Sequence, residues 1–261
     1  MGRFEGRVAL ITGAGKGIGS AVAKRLAQEG AAVIAADIDP SLAKQTEHDI
    51  RAAGQRAFAF QMDVSSFVDV NRVPRIAEEQ FGQIPDLVVC NAGVQTFQTI
   101  EELTVEEWDR VFNVNARGTF LTMQMAAKAM RQAGVKGSIV TIASIQGRLG
   151  SVYYANYSAS KAAVISLTKS FALAYAPYGI RVNCVAPGAI QTELWERADR
   201  EMAKIRGINP GEPTRERIAK IPLQRLGAPE DIASAVAMLL SDELGYVTGE
   251  CLHVCGGDLM L

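Results

Sequence analysis

Short, unbroken apolar runs alternate along the chain with longer stretches whose apolar residues return every third or fourth position. The runs lie at Val8–Ile11, Ala32–Ala36, Ala57–Met62, Asp86–Cys90, Ser138–Ala143, Ile180–Val185 and Glu250–Val254. Runs this short and this apolar read as strands covered on both faces, the pattern of a parallel sheet. Between them, helical periodicity predicts helices from Val22 and Leu26 to Gly30, over 41–53 and 68–81, from Thr104 to Gln132, from Ala155 to Tyr175, and after Pro229. Alternating strand and helix predict an α/β fold, a doubly wound parallel sheet flanked by helices. No linker, internal repeat or low-complexity stretch interrupts the series, so residues 1–261 read as one domain. Residues 189–227 break the rhythm. They are charged, contain Trp195 and Met202, and follow the end of a strand, where an insertion reads as a substrate lid. The plainer alternative is a variable surface excursion.

The first strand stops at Thr12-Gly13-Ala14-Gly15-Lys16-Gly17-Ile18-Gly19, and a helix follows at once. Strand, glycine-rich turn and helix open a dinucleotide-binding βαβ unit, in which backbone N–H groups at a helix N-terminus meet a pyrophosphate. The position of the turn gives this weight, because glycines also serve ordinary turns. The second strand ends at Asp37-Ile38. A carboxylate there accepts hydrogen bonds from ribose hydroxyls and repels a 2′-phosphate, which favours NAD over NADP. Lys16 argues the other way, since a cation in the glycine turn suits the additional phosphate. A helix-capping role fits Asp39, before Pro40, better than Asp37.

Two further strand ends carry small or polar residues, at Asp63-Val64 and at Asn91-Ala92-Gly93. Ala92 and Gly93 leave room for a flat ring or ribose, although Asn91 also suits a plain turn. Asn115 sits inside a helical pattern, where propensity disfavours it, so it either faces inward to hold a water or bends the helix. Tyr157 and Lys161 are four apart on a helix and share a face. A lysine cation beside a phenol lowers its pKa from about 10 towards neutrality, which makes Tyr157 a candidate general acid/base. Ser144, at the end of the fifth strand, is placed to hold a substrate oxygen. A bare Tyr–Lys pair is also common on ordinary helix surfaces, so the surrounding motifs decide.

Composition removes several alternatives. Net charge is −1, which calls for neither nucleic acid nor an anionic membrane as partner. No apolar run reaches the ~18 residues of a membrane span. The N-terminal stretch shows no signal-peptide core, and Cys90, Cys184, Cys251 and Cys255 show neither CxxC spacing nor disulfide density. A reduced, cytoplasmic protein is the expectation. His48 and His253 are the only histidines, which argues against a metal site or a Ser-His-Asp hydrolase; Ser144 also lies outside a GxSxG elbow.

Together these stretches resemble the short-chain dehydrogenase/reductase family over nearly the whole chain. The resemblance rests on Thr12-Gly-x-x-x-Gly17-Ile18-Gly19, Asp63, Asn91-Ala92-Gly93, Asn115, Ser144, Tyr157-x-x-x-Lys161 and Pro187-Gly188. It implies a single Rossmann-like domain with a seven-stranded parallel sheet, assembled as a homotetramer. It also implies that Tyr157 moves the proton of the alcohol oxygen, Ser144 binds that oxygen, Lys161 lowers the tyrosine pKa and binds the nicotinamide ribose, and Asn115 holds a relay water. Asp63 and Val64 would flank adenine, Asn91 the adenosine-side ribose, and Ile190 and Thr192 the carboxamide. The chain departs from the family at Cys90, where many members have Asn, and at Cys255, where Asp is common. Thr192–Trp195 and Asp199 resemble members acting on polyols, sugars or vicinal diols, with Gln146 and Gln95 as candidates for a second hydroxyl. The implied substrate is therefore a small polyhydroxylated alcohol or hydroxyketone. The alternative is an NADP-dependent 3-oxoacyl-thioester reductase. A non-catalytic nucleotide-binding protein on the same fold is the reading from a different class.

Overall fold

The computed structural model describes residues 2–260. Seven parallel strands form one sheet in the order β3-β2-β1-β4-β5-β6-β7. They are β1 (Val8–Thr12), β2 (Ala32–Asp37), β3 (Ala57–Gln61), β4 (Leu87–Cys90), β5 (Gly137–Ile142), β6 (Ile180–Pro187) and β7 (Cys251–Val254). Alternate residues of the central strands enter separate cores. Val8 and Leu10 pack with Ile34, Met123 and Phe171 on one face. Ala9 and Ile11 pack with Val22, Leu26, Ile232 and Val236 on the other. Both faces are thus dry, which is why the strands read as continuous apolar runs rather than alternating ones. Strand order reverses between β1 and β4, and in open α/β sheets ligands bind at the carboxyl ends beside such a switch point.

The helices are α1 (Gly17–Gln28), α2 (Pro40–Ala52), α3 (Phe67–Asn71), α4 (Val73–Phe81), α5 (Val105–Phe112), α6 (Thr119–Ala133), α7 (Ala155–Tyr175), α8 (Glu193–Arg206), α9 (Glu212–Lys220) and α10 (Pro229–Leu240). Asp39 caps α2 by accepting from the Ser41 and Leu42 N–H groups, the role its place before Pro40 suggested. Two expected single helices are broken. The stretch 68–81 divides at Arg72, because Pro74 at the start of α4 has no N–H to continue the ladder. Between α5 and α6, residues Asn113–Gly118 wind as a π-helical turn. Such a wider turn recurs at functional sites, and here it carries Asn115 inward to complete burial. Residues 189–227 hold α8 and α9. Among the described residues no helix is long and apolar enough to cross a membrane.

Candidate active site

The glycine turn comes within reach of β4 and α2 only because side chains are absent. A Cβ on Gly19 would lie 2.0 Å from the Gly13 carbonyl oxygen, and one on Gly15 would lie 2.8 Å from Asp37 Oδ2. Thr12 and Asn91 clamp the turn to β4: Asn91 Nδ2 donates to the Thr12 and Gly13 carbonyls at 2.9 Å each, and Thr12 Oγ1 accepts from Asn91 N–H. The first turn of α1 has no capping side chain and no acidic residue, so its N–H groups and dipole face the cleft uncancelled.

Asp37 closes the turn from β2. Its Oδ2 accepts from Gly15 N–H at 2.8 Å and its Oδ1 from Asp39 N–H at 3.0 Å, which fixes the carboxylate while leaving lone pairs towards the cleft. Ile38 beside it is 65% exposed at the cleft edge, an apolar surface fit for a flat ring. Asp63 Oδ1 is held by the N–H and hydroxyl of Ser65, next to Val64. Lys16 does not stand free: its ammonium lies 2.5 Å from Glu193 Oε2 at the start of α8, which weakens the case for it as a phosphate-binding cation.

At the other end, Tyr157 and Lys161 share one face of α7 as their spacing predicted. Lys161 is buried, its Nζ donating to the Ile142 carbonyl at 2.7 Å and lying 5.6 Å from the Tyr157 ring centre. Burial pushes the lysine down to about 8. The expected lowering of the tyrosine pKa by Lys161 is not what the structure shows. Burial raises the Tyr157 phenol to about 12, and the group that pulls it back down is the Ser144 hydroxyl. The ammonium points to a main-chain carbonyl rather than to the phenol oxygen, so desolvation outweighs it. Tyr157's ring is held edge-on by Tyr154, and Tyr154 in turn by Phe97, with centroids 6.3 and 5.7 Å apart.

Asn115 is a brace. Its Oδ1 accepts from Val94 N–H at 2.8 Å, and its Nδ2 donates to the Val94 carbonyl at 2.9 Å and to Ser160 Oγ at 3.0 Å. Ser160 Oγ then donates to the Tyr157 carbonyl at 2.7 Å. The π turn, the loop after β4 and the turn of α7 that carries Tyr157 are therefore one hydrogen-bonded unit. Both Asn115 Nδ2 hydrogens are used by protein groups.

One cleft of about 990 Å³ contains these groups. Gly13, Gly17, Gly19, Ile18, Ala92 and Gly93 line it, as do Pro187, Gly188, Ile190 and Thr192 after β6. Gln95, Gln146 and Trp195 also reach it. Asn115 is the one candidate residue that stands behind the wall. Trp195 Nε1 donates to Thr214 Oγ1 at 3.0 Å, pinning α8 to α9. Asp199 points away from the cleft and accepts from Gly211 and Thr214, so it is a structural staple between the two helices. Sequence reading missed Phe97, Tyr153 and Tyr154, and the inward faces of α8 and α9, including Arg200, Arg206 and Lys220. The aromatic residues just before the α7 motif were a usable signal; the inward faces of α8 and α9 were not.

An open parallel sheet with a glycine cradle at its switch point and a Ser–Tyr–Lys cluster at the cleft's far end defines a dinucleotide-dependent oxidoreductase. A family profile described as enoyl-(acyl carrier protein) reductase matches residues 13–258. The chain is 39% identical to mouse (3R)-3-hydroxyacyl-CoA dehydrogenase, over 99% of this chain and 98% of the relative. It is 38% identical to galactitol 2-dehydrogenase of Agrobacterium fabrum, over 99% of both. Among solved structures, an NAD+-bound xylitol dehydrogenase superposes with a TM-score of 0.93 at 34% identity, covering 97% of this chain and 99% of that one. The protein belongs to the short-chain dehydrogenase/reductase family, whose members are oxidoreductases acting on CH–OH groups.

Proposed function

We propose that the protein is an NAD-dependent dehydrogenase interconverting a secondary alcohol and a ketone, acting on a small polyol, sugar or vicinal diol and its hydroxyketone. The observation that carries the reaction type is the meeting of Tyr157, Ser144 and Lys161 at one end of a glycine-cradled cleft. The donor set suits a dinucleotide: free N–H groups at α1, a fixed Asp37 carboxylate and exposed Ile38 at the adenosine end, and Ile190 and Thr192 near the reacting end. Asp37 supports NAD rather than NADP, and Lys16, the residue that argues for NADP, lies against Glu193. The bound nicotinamide would supply the hydride acceptor or donor.

The chain's own residues handle the proton and the oxygen. Ser144 Oγ accepts from Gln146 N–H at 3.1 Å, and its one hydrogen, which draws the Tyr157 phenol down, would pass to a substrate oxygen seated between the two hydroxyls. Tyr157, held as a neutral phenol at ordinary pH, gives its proton to the carbonyl oxygen during reduction; in oxidation it must first release that proton to solvent and then takes the proton of the alcohol. Lys161 spends one hydrogen on Ile142 and keeps two for ribose hydroxyls. Residues 189–227 act as a lid over the substrate, and the reading includes a homotetramer and a cytoplasmic setting. A 3-hydroxyacyl or 3-oxoacyl thioester is the second reading, favoured by the mouse relative.

The test follows absorbance at 340 nm with NAD and then NADP against polyols, sugars, diols and a 3-hydroxyacyl thioester. Turnover with NAD and a polyol supports the first reading, and turnover with the thioester alone moves the protein to the second. Tyr157→Phe should leave dinucleotide binding within about twofold and cut kcat at least 100-fold. A variant with ordinary kcat would remove Tyr157 from the role.

A further inference from the structure

Charge is sorted along the cleft. Its acidic residues beyond β2 and β3 are Asp37 and Asp63, whereas the lid wall carries Arg197, Arg200 and Arg206 from α8 and Arg217 and Lys220 from α9. Acids on the lid wall are Glu193, Glu196 and Glu216. Two of them are already engaged: Glu193 with Lys16, and Glu216 in a two-point pair with Arg206 at 2.8 and 2.9 Å. Arg217 pairs with Asp258 and Arg215 with Glu212. Among the described residues, Arg197, Arg200 and Lys220 make no ion pair; Glu196 stands against them on that wall, and Glu216, already paired with Arg206, feels Lys220 at longer range. Arg197 feels Glu107 at longer range, but Glu107 is itself held by Arg110 and Thr96. Lys204 is likewise unpaired but does not line the cleft.

A solvated helix face would carry unpaired cations too, but it would not turn three of them into the same cleft that holds Tyr157 and Ser144.

We propose that the lid forms an anion-binding wall, and that the substrate carries a phosphate or carboxylate group set apart from its reacting carbinol. This rests on the alcohol–ketone reading and narrows its substrate class. Arginine pairs with such planar or tetrahedral oxyanions through several hydrogen bonds, and the excess of cations attracts them before contact. Two sources share the chemistry: an acidic or phosphorylated polyol, and a thioester whose carrier bears phosphates.

The experiment compares kcat/KM with NAD for a neutral hexitol, the same hexitol as its phosphate ester, and a 3-hydroxyacyl-CoA, in wild type and in the double variant Arg200→Gln/Lys220→Gln. Both side chains are exposed and unpaired, so the substitutions lie in the class that changes stability little. Wild type should prefer an anionic substrate, and the anionic-to-neutral ratio should fall about tenfold in the variant, a change of ~1.4 kcal/mol. Raising salt should lower the wild-type ratio as well. Preference for the phosphate ester assigns the first source, and preference for the thioester the second. A wild type that favours the neutral hexitol, or a ratio unaltered in the variant, overturns the wall. Should no alcohol be oxidised in any arm, the alcohol–ketone reading fails separately. The wall is then judged by calorimetric titration of hexitol phosphate and of coenzyme A in saturating NAD. Binding lost in the variant supports it, and absent or unaltered binding overturns it.

Discussion

Replacing Lys161 by Met tests the electrostatics of the site and its chemistry in one protein. The ammonium is buried with one main-chain partner, and its pKa falls from the ordinary 10.5 to about 8. That gap of about two and a half pH units corresponds to ~3 kcal/mol of folding free energy, spent on keeping a desolvated cation. The sign follows from proton counting. Below pH ~8 the lysine is charged both folded and unfolded, and the native state bears the whole cost. Between ~8 and ~10.5 only the unfolded chain holds the proton, so wild-type stability rises with pH by the full amount. Methionine has no proton to lose, fills a similar volume, and forfeits the bond to the Ile142 carbonyl, worth about 1 kcal/mol. Lys161→Met should therefore be more stable than wild type by roughly 2 kcal/mol at pH 7 and less stable by about 1 kcal/mol at pH 10.5. Urea unfolding at both pH values, at one protein concentration and read from Trp108 and Trp195 fluorescence, measures the difference; titrations common to both proteins cancel. Turnover should be lost throughout. A stability difference that stays constant between pH 7 and 10.5 would refute the desolvated ammonium.

Three further outcomes test the cradle and the brace. Asp37→Ser should raise the kcat/KM ratio of NADP to NAD at least tenfold, because the carboxylate that Gly15 and Asp39 hold would no longer oppose a 2′-phosphate; an unaltered ratio would move the ribose site elsewhere. Gly19→Ala puts a methyl group 2.0 Å from the Gly13 carbonyl oxygen, so it should cost about 1–3 kcal/mol and weaken dinucleotide binding strongly in calorimetry. Unchanged affinity there would show that the turn relaxes freely. Asn115→Leu leaves Val94 N–H, the Val94 carbonyl and Ser160 short of partners, with an expected loss of roughly 3 kcal/mol in urea unfolding together with most of kcat; near-normal stability would mean the π turn does not depend on the brace.

Much of the molecule was legible before any coordinate. Seven apolar runs named seven strands because a parallel sheet is dry on both faces, and alternating Val8/Leu10 and Ala9/Ile11 feed two cores. Local spacing also placed Tyr157 with Lys161, and a glycine turn between strand and helix placed the cradle. These features depend on backbone periodicity, which a sequence carries directly. Three matters were decided only in three dimensions. The helix through Asn115 widens into a π turn because Val94 and Ser160, distant in sequence, pull its amide inward. Tyr157 stays a high-pKa phenol because burial outweighs a lysine whose ammonium is turned to Ile142. Lys16 meets Glu193 across the cleft edge, and α8 and α9 turn Arg200 and Lys220 towards the cleft. Spacing says which residues share an element. Desolvation, pairing and the direction in which α8 and α9 face belong to contacts between elements, and those arise only when the chain is packed.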